Sequence, residues 1–192
     1  MQKIKVLFVC LGNICRSPMA EAIFQHKIAE LGLAGQFEAD SAGTANYHVG
    51  KGADRRTIST VERMGIRITH TARQVATPDL TYYDYILAMD AENRDTLNTL
   101  ARADRELGGR IYLMRDFEPG AQPHNTANEK QPYTNVDPLT DSVHDPLTPN
   151  LSVPDPYYGG DEGFEEVYHI LDRSIAHFID FVCRRHSLRP HV

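Results

Sequence analysis

Two residues set the chemistry this chain could perform: Cys10 and Arg16, in the stretch Cys10-Leu11-Gly12-Asn13-Ile14-Cys15-Arg16-Ser17-Pro18. A cysteine reacts as its thiolate, and a helix N-terminus, a nearby guanidinium and hydroxyl donors all favour that form. Arg16 offers a planar fork that holds phosphate oxygens in pairs. Ser17 can supply the hydroxyl, and Asn13 tolerates the left-handed backbone that a tight loop needs. A thiolate facing a bound phosphoryl group is placed for in-line attack on phosphorus, which gives a phosphocysteine intermediate. A bare Cys-x5-Arg carries little weight. The strand, loop, Arg-Ser-Pro and helix that accompany it here carry the argument.

The elements that position these residues can be read on either side of the loop. Ile4 to Val9 is apolar apart from Lys5 and reads as a buried strand. Met19 to Phe24 reads as helix, with Ser17 near its cap and Pro18 in its first turn. Amide groups in such a turn face inward at the positive end of a helix dipole, which makes an anion cradle. The first helix is expected from about Ser17 to Leu31, stopping at Gly32. Phe37 to Ser41 reads as a second strand and Ala42-Gly43-Thr44 as a turn. Asp54 to Met64 is expected as helix, Tyr85 to Met89 as a third strand and Ala91 to Leu107 as helix closed by Gly108-Gly109. Ile111 to Met114 is a fourth strand, and a last amphipathic helix covers Asp161 to Arg184. Alternating strands and helices predict a single α/β domain over residues 1–192, with a central four-stranded parallel sheet flanked by helices on both faces. Ligands of such sheets bind at the carboxyl ends of strands, where Cys10 lies.

The pattern breaks at about 116–154, which holds seven of the eleven prolines, six acidic residues and one lysine, a formal −5. Asp137-Pro138-Leu139-Thr140 and Asp145-Pro146-Leu147-Thr148 form a near-repeat inside it. Proline-rich, acidic, non-periodic sequence does not pack a core, so this segment reads as a functional or disordered insertion.

Val6 to Glu21, with Cys10, Asn13, Arg16, Ser17 and Pro18, closely resembles the N-terminus of low-molecular-weight protein tyrosine phosphatases, and the resemblance extends to nearly the whole chain except the insertion. The resemblance implies hydrolysis of phosphotyrosine with Cys10 as nucleophile, Arg16 as phosphate clamp and Asp155, in Asp155-Pro156-Tyr157-Tyr158, as general acid. Such an acid protonates the leaving phenolate, and its carboxylate then activates water. Backbone amides from Leu11 through Gly12, Asn13, Ile14 and Cys15 to Ser17 would hold the phosphate. Ser41 and His70 would fix Asn13, and Asp90 would support the cradle. Leu11, Tyr47, Tyr157 and Tyr158 would wall a cleft suited to a phenyl ring. Cys15 is a candidate for a reversible disulfide with oxidised Cys10, or simply a small residue that fits the loop.

Composition narrows the classes. Three cysteines, an odd number, suit a reducing, cytoplasmic compartment better than a disulfide framework. No run of about 18 apolar residues predicts a membrane span, and the N-terminus lacks the apolar core of a signal peptide. The net charge of −6 argues against a nucleic-acid footprint. No Cys/His grouping has metal-ligand spacing, so neither metal nor organic cofactor is expected. Phosphotyrosine-containing proteins are the expected partners, and the chain itself is expected as a monomer or weak homodimer. Three other readings share the loop. Phosphoarginine hydrolases that resemble this chain carry a small hydroxyl residue where Ile14 stands and lack the paired tyrosines. Thiol-coupled arsenate reduction needs further cysteines, and none lies between Cys15 and Cys183. A non-catalytic phosphopeptide-binding module would need no nucleophile. A nucleotide-binding P-loop is excluded because Gly12 is not followed by Gly-Lys-Ser/Thr.

Overall fold

The structure is a computed structural model that describes residues 2–102, 110–118 and 151–190. Strand β1, Ile4–Cys10, lies at the centre of a parallel sheet, between β2 (Phe37–Gly43) and β3 (Tyr85–Ala88). The fourth strand, β4 (Arg110–Leu113), pairs with β3, so the order is β2-β1-β3-β4. Because alternate side chains point to opposite faces, β1 feeds two cores. Val6 and Phe8 join one with α1 (Arg16–Glu30) and α5 (Asp161–His186), where Phe24 and Phe178 are buried. Leu7 and Val9 join the other, with Leu80 from α3 (Thr77–Tyr82) and Leu97 from α4 (Ala91–Arg102). Burial on both faces explains why β1 is a continuous apolar run.

The expected elements hold, with boundary differences that have local causes. Strand β2 continues through Ala42 and Gly43, which the sequence suggested as a turn, because Ala42 and Gly43 pair with Val9 and Cys10. The first helix begins one residue earlier, with Cys15 rather than Ser17 at its cap position and no side-chain cap bond there. Helix α2 (Arg55–Arg63) is capped by Asp54, whose side chain accepts from the Arg56 amide. Helix α5 runs two residues past Arg184, to His186, and Ser187 ends it in the left-handed conformation with φ 55°. The short α3 was not expected at all. It buries only Leu80, so it leaves no periodic signal. The expected helix end at Leu107, the glycines 108 and 109, and residues 119–150 of the insertion lie outside the described residues.

Candidate active site

The loop after β1 is built around Asn13. It is completely buried with φ 54°, and each of its polar groups is engaged. Its amide nitrogen Nδ2 donates to Ser17 Oγ at 2.9 Å and to Ser41 Oγ at 3.0 Å, and its Oδ1 accepts the Arg73 amide at 2.9 Å. Its backbone carbonyl meets His70 Nε2 at 2.7 Å, so that nitrogen carries a proton there. Its own amide points at Cys10 Sγ, 3.3 Å away. Strand β2 braces the loop from behind: Thr44 and Ala45 donate to the carbonyls of Cys10 and Leu11, each at 2.9 Å. A β-carbon at Gly43 would stand 2.7 Å from the Leu11 carbonyl, so that approach requires glycine.

Ser17 Oγ lies 3.0 Å from Cys10 Sγ and 3.4 Å from the Ala42 carbonyl. Since Asn13 already donates to that oxygen, the one hydroxyl proton of Ser17 has the Ala42 carbonyl and Cys10 Sγ as its two acceptors. Cys15 is held as the neutral thiol. Burial, with Asp54, Cys10 and Asp155 adding to it, pushes its pKa up to about 12.

Arg16 occupies the first turn of α1 and is 4% exposed. Its Nη1 donates to Asp90 Oδ2 at 2.7 Å and to the Val153 carbonyl at 3.1 Å, and its Nη2 reaches Asp155 Oδ2 at 3.3 Å. Burial opposes the guanidinium charge, but Cys10, Asp155 and Asp90 outweigh it and hold Arg16 charged. Asp90 serves two purposes: Oδ2 takes Arg16 while Oδ1 accepts the Asn93 amide at 2.7 Å in the first turn of α4. The other Asp155 oxygen accepts the Tyr157 amide at 3.1 Å.

Two hydrogen-bonded groups thus meet at the loop: Cys10, Asn13, Ser17, Ser41 and His70 in one, and Arg16, Asp90 and Asp155 in the other, with the Arg16 charge acting on Cys10 across them. Leu11 is exposed beside them, and Gly12 lies under His48, whose ring centroid is 6.2 Å from that of Tyr157. Tyr157 meets Tyr158 edge-on at 5.0 Å, while Tyr47 and Tyr158 are 69% and 95% exposed and stand in solvent. Ile14 and Cys15 are buried, with the Ile14 carbonyl accepting the Asp54 amide at 2.8 Å. Sequence reasoning missed Glu21, Asp54, Arg56, Arg73 and Val153. Glu21 accepts from Ser41 Oγ at 2.7 Å and extends the Asn13 network into α1. Asp54, a residue type suited to an N-cap and standing just before a periodic helix, was the one local signal available. The others are brought in by distant chain segments. Among the described residues, no group of His, Cys, Asp and Glu could hold a metal ion, and no helix is long and apolar enough to cross a membrane.

The fold and this arrangement define a class: a parallel α/β protein that gathers a cysteine, an arginine and hydroxyl donors at the carboxyl end of its first strand. The family model described as low molecular weight phosphotyrosine protein phosphatase matches residues 5–135, and the chain belongs to that family. It is 36% identical over 168 residues to the low molecular weight protein-tyrosine-phosphatase of Streptomyces coelicolor, covering 88% of this chain and 87% of that one. A solved protein tyrosine phosphatase from Entamoeba histolytica is similar with a TM-score of 0.73 at 32% identity, over 96% of this chain and 99% of that one. The structure of DARP, a drosophila arginine phosphatase, is similar with a TM-score of 0.76 at 27% identity, over 93% and 98%.

Proposed function

We propose that this protein hydrolyses phosphotyrosine in proteins through a phosphocysteine intermediate. The observation that carries the reading is the contact of Arg16 with Asp155, in a cluster whose loop also presents Cys10 to Ser17 and the Asn13 amide. The Cys10 thiolate attacks phosphorus and the bond to the tyrosine oxygen breaks. Asp155 gives that oxygen its proton, so tyrosine leaves neutral. The Asp155 carboxylate then takes a proton from water as the water oxygen attacks phosphorus, which releases phosphate and restores the thiolate. Arg16 Nη2, paired with Asp155 in this structure, turns to a phosphoryl oxygen, and the loop amides from Leu11 to Ser17 take the others. Positioning and charge stabilisation supply most of the acceleration, with no metal or organic cofactor in any step. Ser41, His70 and Asp90 hold the loop and the clamp. Leu11 and Tyr157 stand half-exposed beside the loop, and with Tyr47 and Tyr158, which stand in solvent in this structure, they would close on a phenyl ring and so favour an aryl phosphate over phosphoserine.

Three free thiols, Cys10, Cys15 and Cys183, support a reducing, cytoplasmic setting. The likeness to an arginine phosphatase makes phosphoarginine the second candidate substrate. Ile14 and the Tyr157-Tyr158 pair favour phosphotyrosine. The test is turnover of phosphotyrosine, phosphoserine and phosphoarginine peptides, without metal, by wild type, Cys10→Ser and Asp155→Ala. Phosphotyrosine hydrolysis is expected, abolished by Cys10→Ser and reduced by ~10²-fold or more in Asp155→Ala. Preference for phosphoarginine would reassign the substrate. Turnover of none would return the chain to a phosphopeptide-binding role.

A further inference from the structure

Asp155 reaches the site from a loop with little support of its own. Between Val153, whose amide bonds to the Met89 carbonyl at 2.7 Å, and the start of α5 at Asp161, the loop closes one turn through Gly159 N to Pro156 O at 3.0 Å. Arg16 and the Tyr157 amide hold the Asp155 carboxylate itself, and the backbone beyond it is gripped by Arg56, on the N-terminal turn of α2. Its Nη1 donates to the Gly159 carbonyl at 3.0 Å and its Nη2 to the Tyr157 carbonyl at 3.1 Å. The other edge of the same guanidinium is held by Asp54, with Nε to Oδ1 and Nη2 to Oδ2 each at 3.0 Å. Its face lies 4.5 Å from the ring centroid of Phe164, in the first turn of α5, and the Tyr157 ring is 5.8 Å away. Asp54 is in turn joined to the phosphate loop, since its amide donates to the Ile14 carbonyl at 2.8 Å.

We propose that Arg56 is a positioning residue for the general acid. It latches the Asp155 loop to the phosphate loop through Asp54, and so sets where the carboxyl stands relative to the leaving oxygen. This inference rests on the reading of Asp155 as the acid. Only arginine fits the role: one planar group spans a carboxylate on one edge and two carbonyls on the other, which a lysine ammonium cannot do. A misplaced acid weakens proton delivery to the leaving group, while the Cys10 and Arg16 interactions with phosphate are untouched. The expected signature is therefore selective. Expulsion of a basic phenolate depends strongly on the acid, whereas expulsion of the far less basic 4-nitrophenolate depends on it less.

The experiment compares kcat/KM for phenyl phosphate and 4-nitrophenyl phosphate in wild type, Arg56→Met, Arg56→Lys, Asp54→Asn and Asp155→Ala. Methionine keeps an apolar stem over Phe164, and asparagine keeps an acceptor for the α2 cap, so thermal unfolding and inhibition by inorganic phosphate can confirm an intact fold. Arg56→Met is expected to lose about tenfold or more on phenyl phosphate and less than about threefold on 4-nitrophenyl phosphate, with Arg56→Lys failing to rescue and Asp54→Asn shifting the same way by less. Equal losses on both substrates, or none, in Arg56→Met and Asp54→Asn while Asp155→Ala discriminates would overturn the latch and leave the acid in place. If Asp155→Ala itself does not discriminate, the acid assignment falls and the latch with it.

Discussion

At the scale of single residues, Asn13 gathers more of the site than the cysteine it serves. Its side chain joins Ser17, Ser41 and the Arg73 amide, and its left-handed backbone aims its own amide at Cys10. Two costs can be separated by substitution. Asn13→Gly removes the side-chain bonds and relaxes the positive φ. Asn13→Ala removes the same bonds but keeps a β-carbon where φ is 54°. Both should destabilise by about 2–4 kcal/mol, because buried hydroxyls and an amide lose partners, with alanine worse than glycine by about 1 kcal/mol. Urea unfolding of the two variants checks this, and equal losses would mean that the left-handed backbone costs nothing here.

Between elements, the joint of α1 and β2 carries a titrating group. Glu21 accepts from Ser41 Oγ at 2.7 Å and from Gln25 Nε2 at 3.0 Å. Burial nevertheless pushes its pKa from 4.5 up to about 7, with Asp40 adding to the rise. Between those values the folded protein holds a proton that the unfolded chain has released, so this group's contribution to stability is full below about 4.5 and declines as pH rises to about 7. Glu21→Gln removes the titration. Relative to wild type it should gain roughly 1–3 kcal/mol on going from pH 4.5 to pH 8. Denaturation at the two pH values gives the difference directly, and parallel pH dependence in the two proteins would show that Glu21 does not titrate in this range. The same joint ties three segments together: α1, β2 and the loop after β1 are bonded through Glu21, Ser41 and Asn13.

For the whole molecule, a formal charge of −6, with −5 of it inside residues 116–154, should act on substrates before they dock. We propose that this segment tunes access to Asp155 by repelling acidic phosphopeptides and favouring basic flanks. Such steering acts over a Debye length that shrinks from about 30 Å at 0.01 M salt to about 8 Å at 0.15 M. The ratio of kcat/KM for a basic-flanked over an acidic-flanked phosphotyrosine peptide should therefore exceed one at low salt and fall toward one as salt rises. Deleting 119–150 should reduce the ratio at low salt. A ratio indifferent to both salt and deletion would leave the segment as a passive connection.

What the sequence determined by itself is local: the strand-loop-helix around Cys10, the sheet order of events along the chain, and the helices with periodic apolar faces such as Phe164, Val167, Leu171 and Phe178. These follow from spacing within one element, where neighbours in sequence are neighbours in space. Asp155 was reachable only through the family resemblance, because nothing near it in sequence separates it from any other Asp-Pro turn. It meets Arg16 across 139 residues, and that meeting is set by the order of the strands rather than by local pattern. Ser41, Glu21 and the Asp54–Arg56 grip on Tyr157 and Gly159 are of the same kind. A hydrogen-bond donor carries no mark in the sequence of which distant carbonyl it will meet. Only the packing of α2 against α1 and α5 decides it.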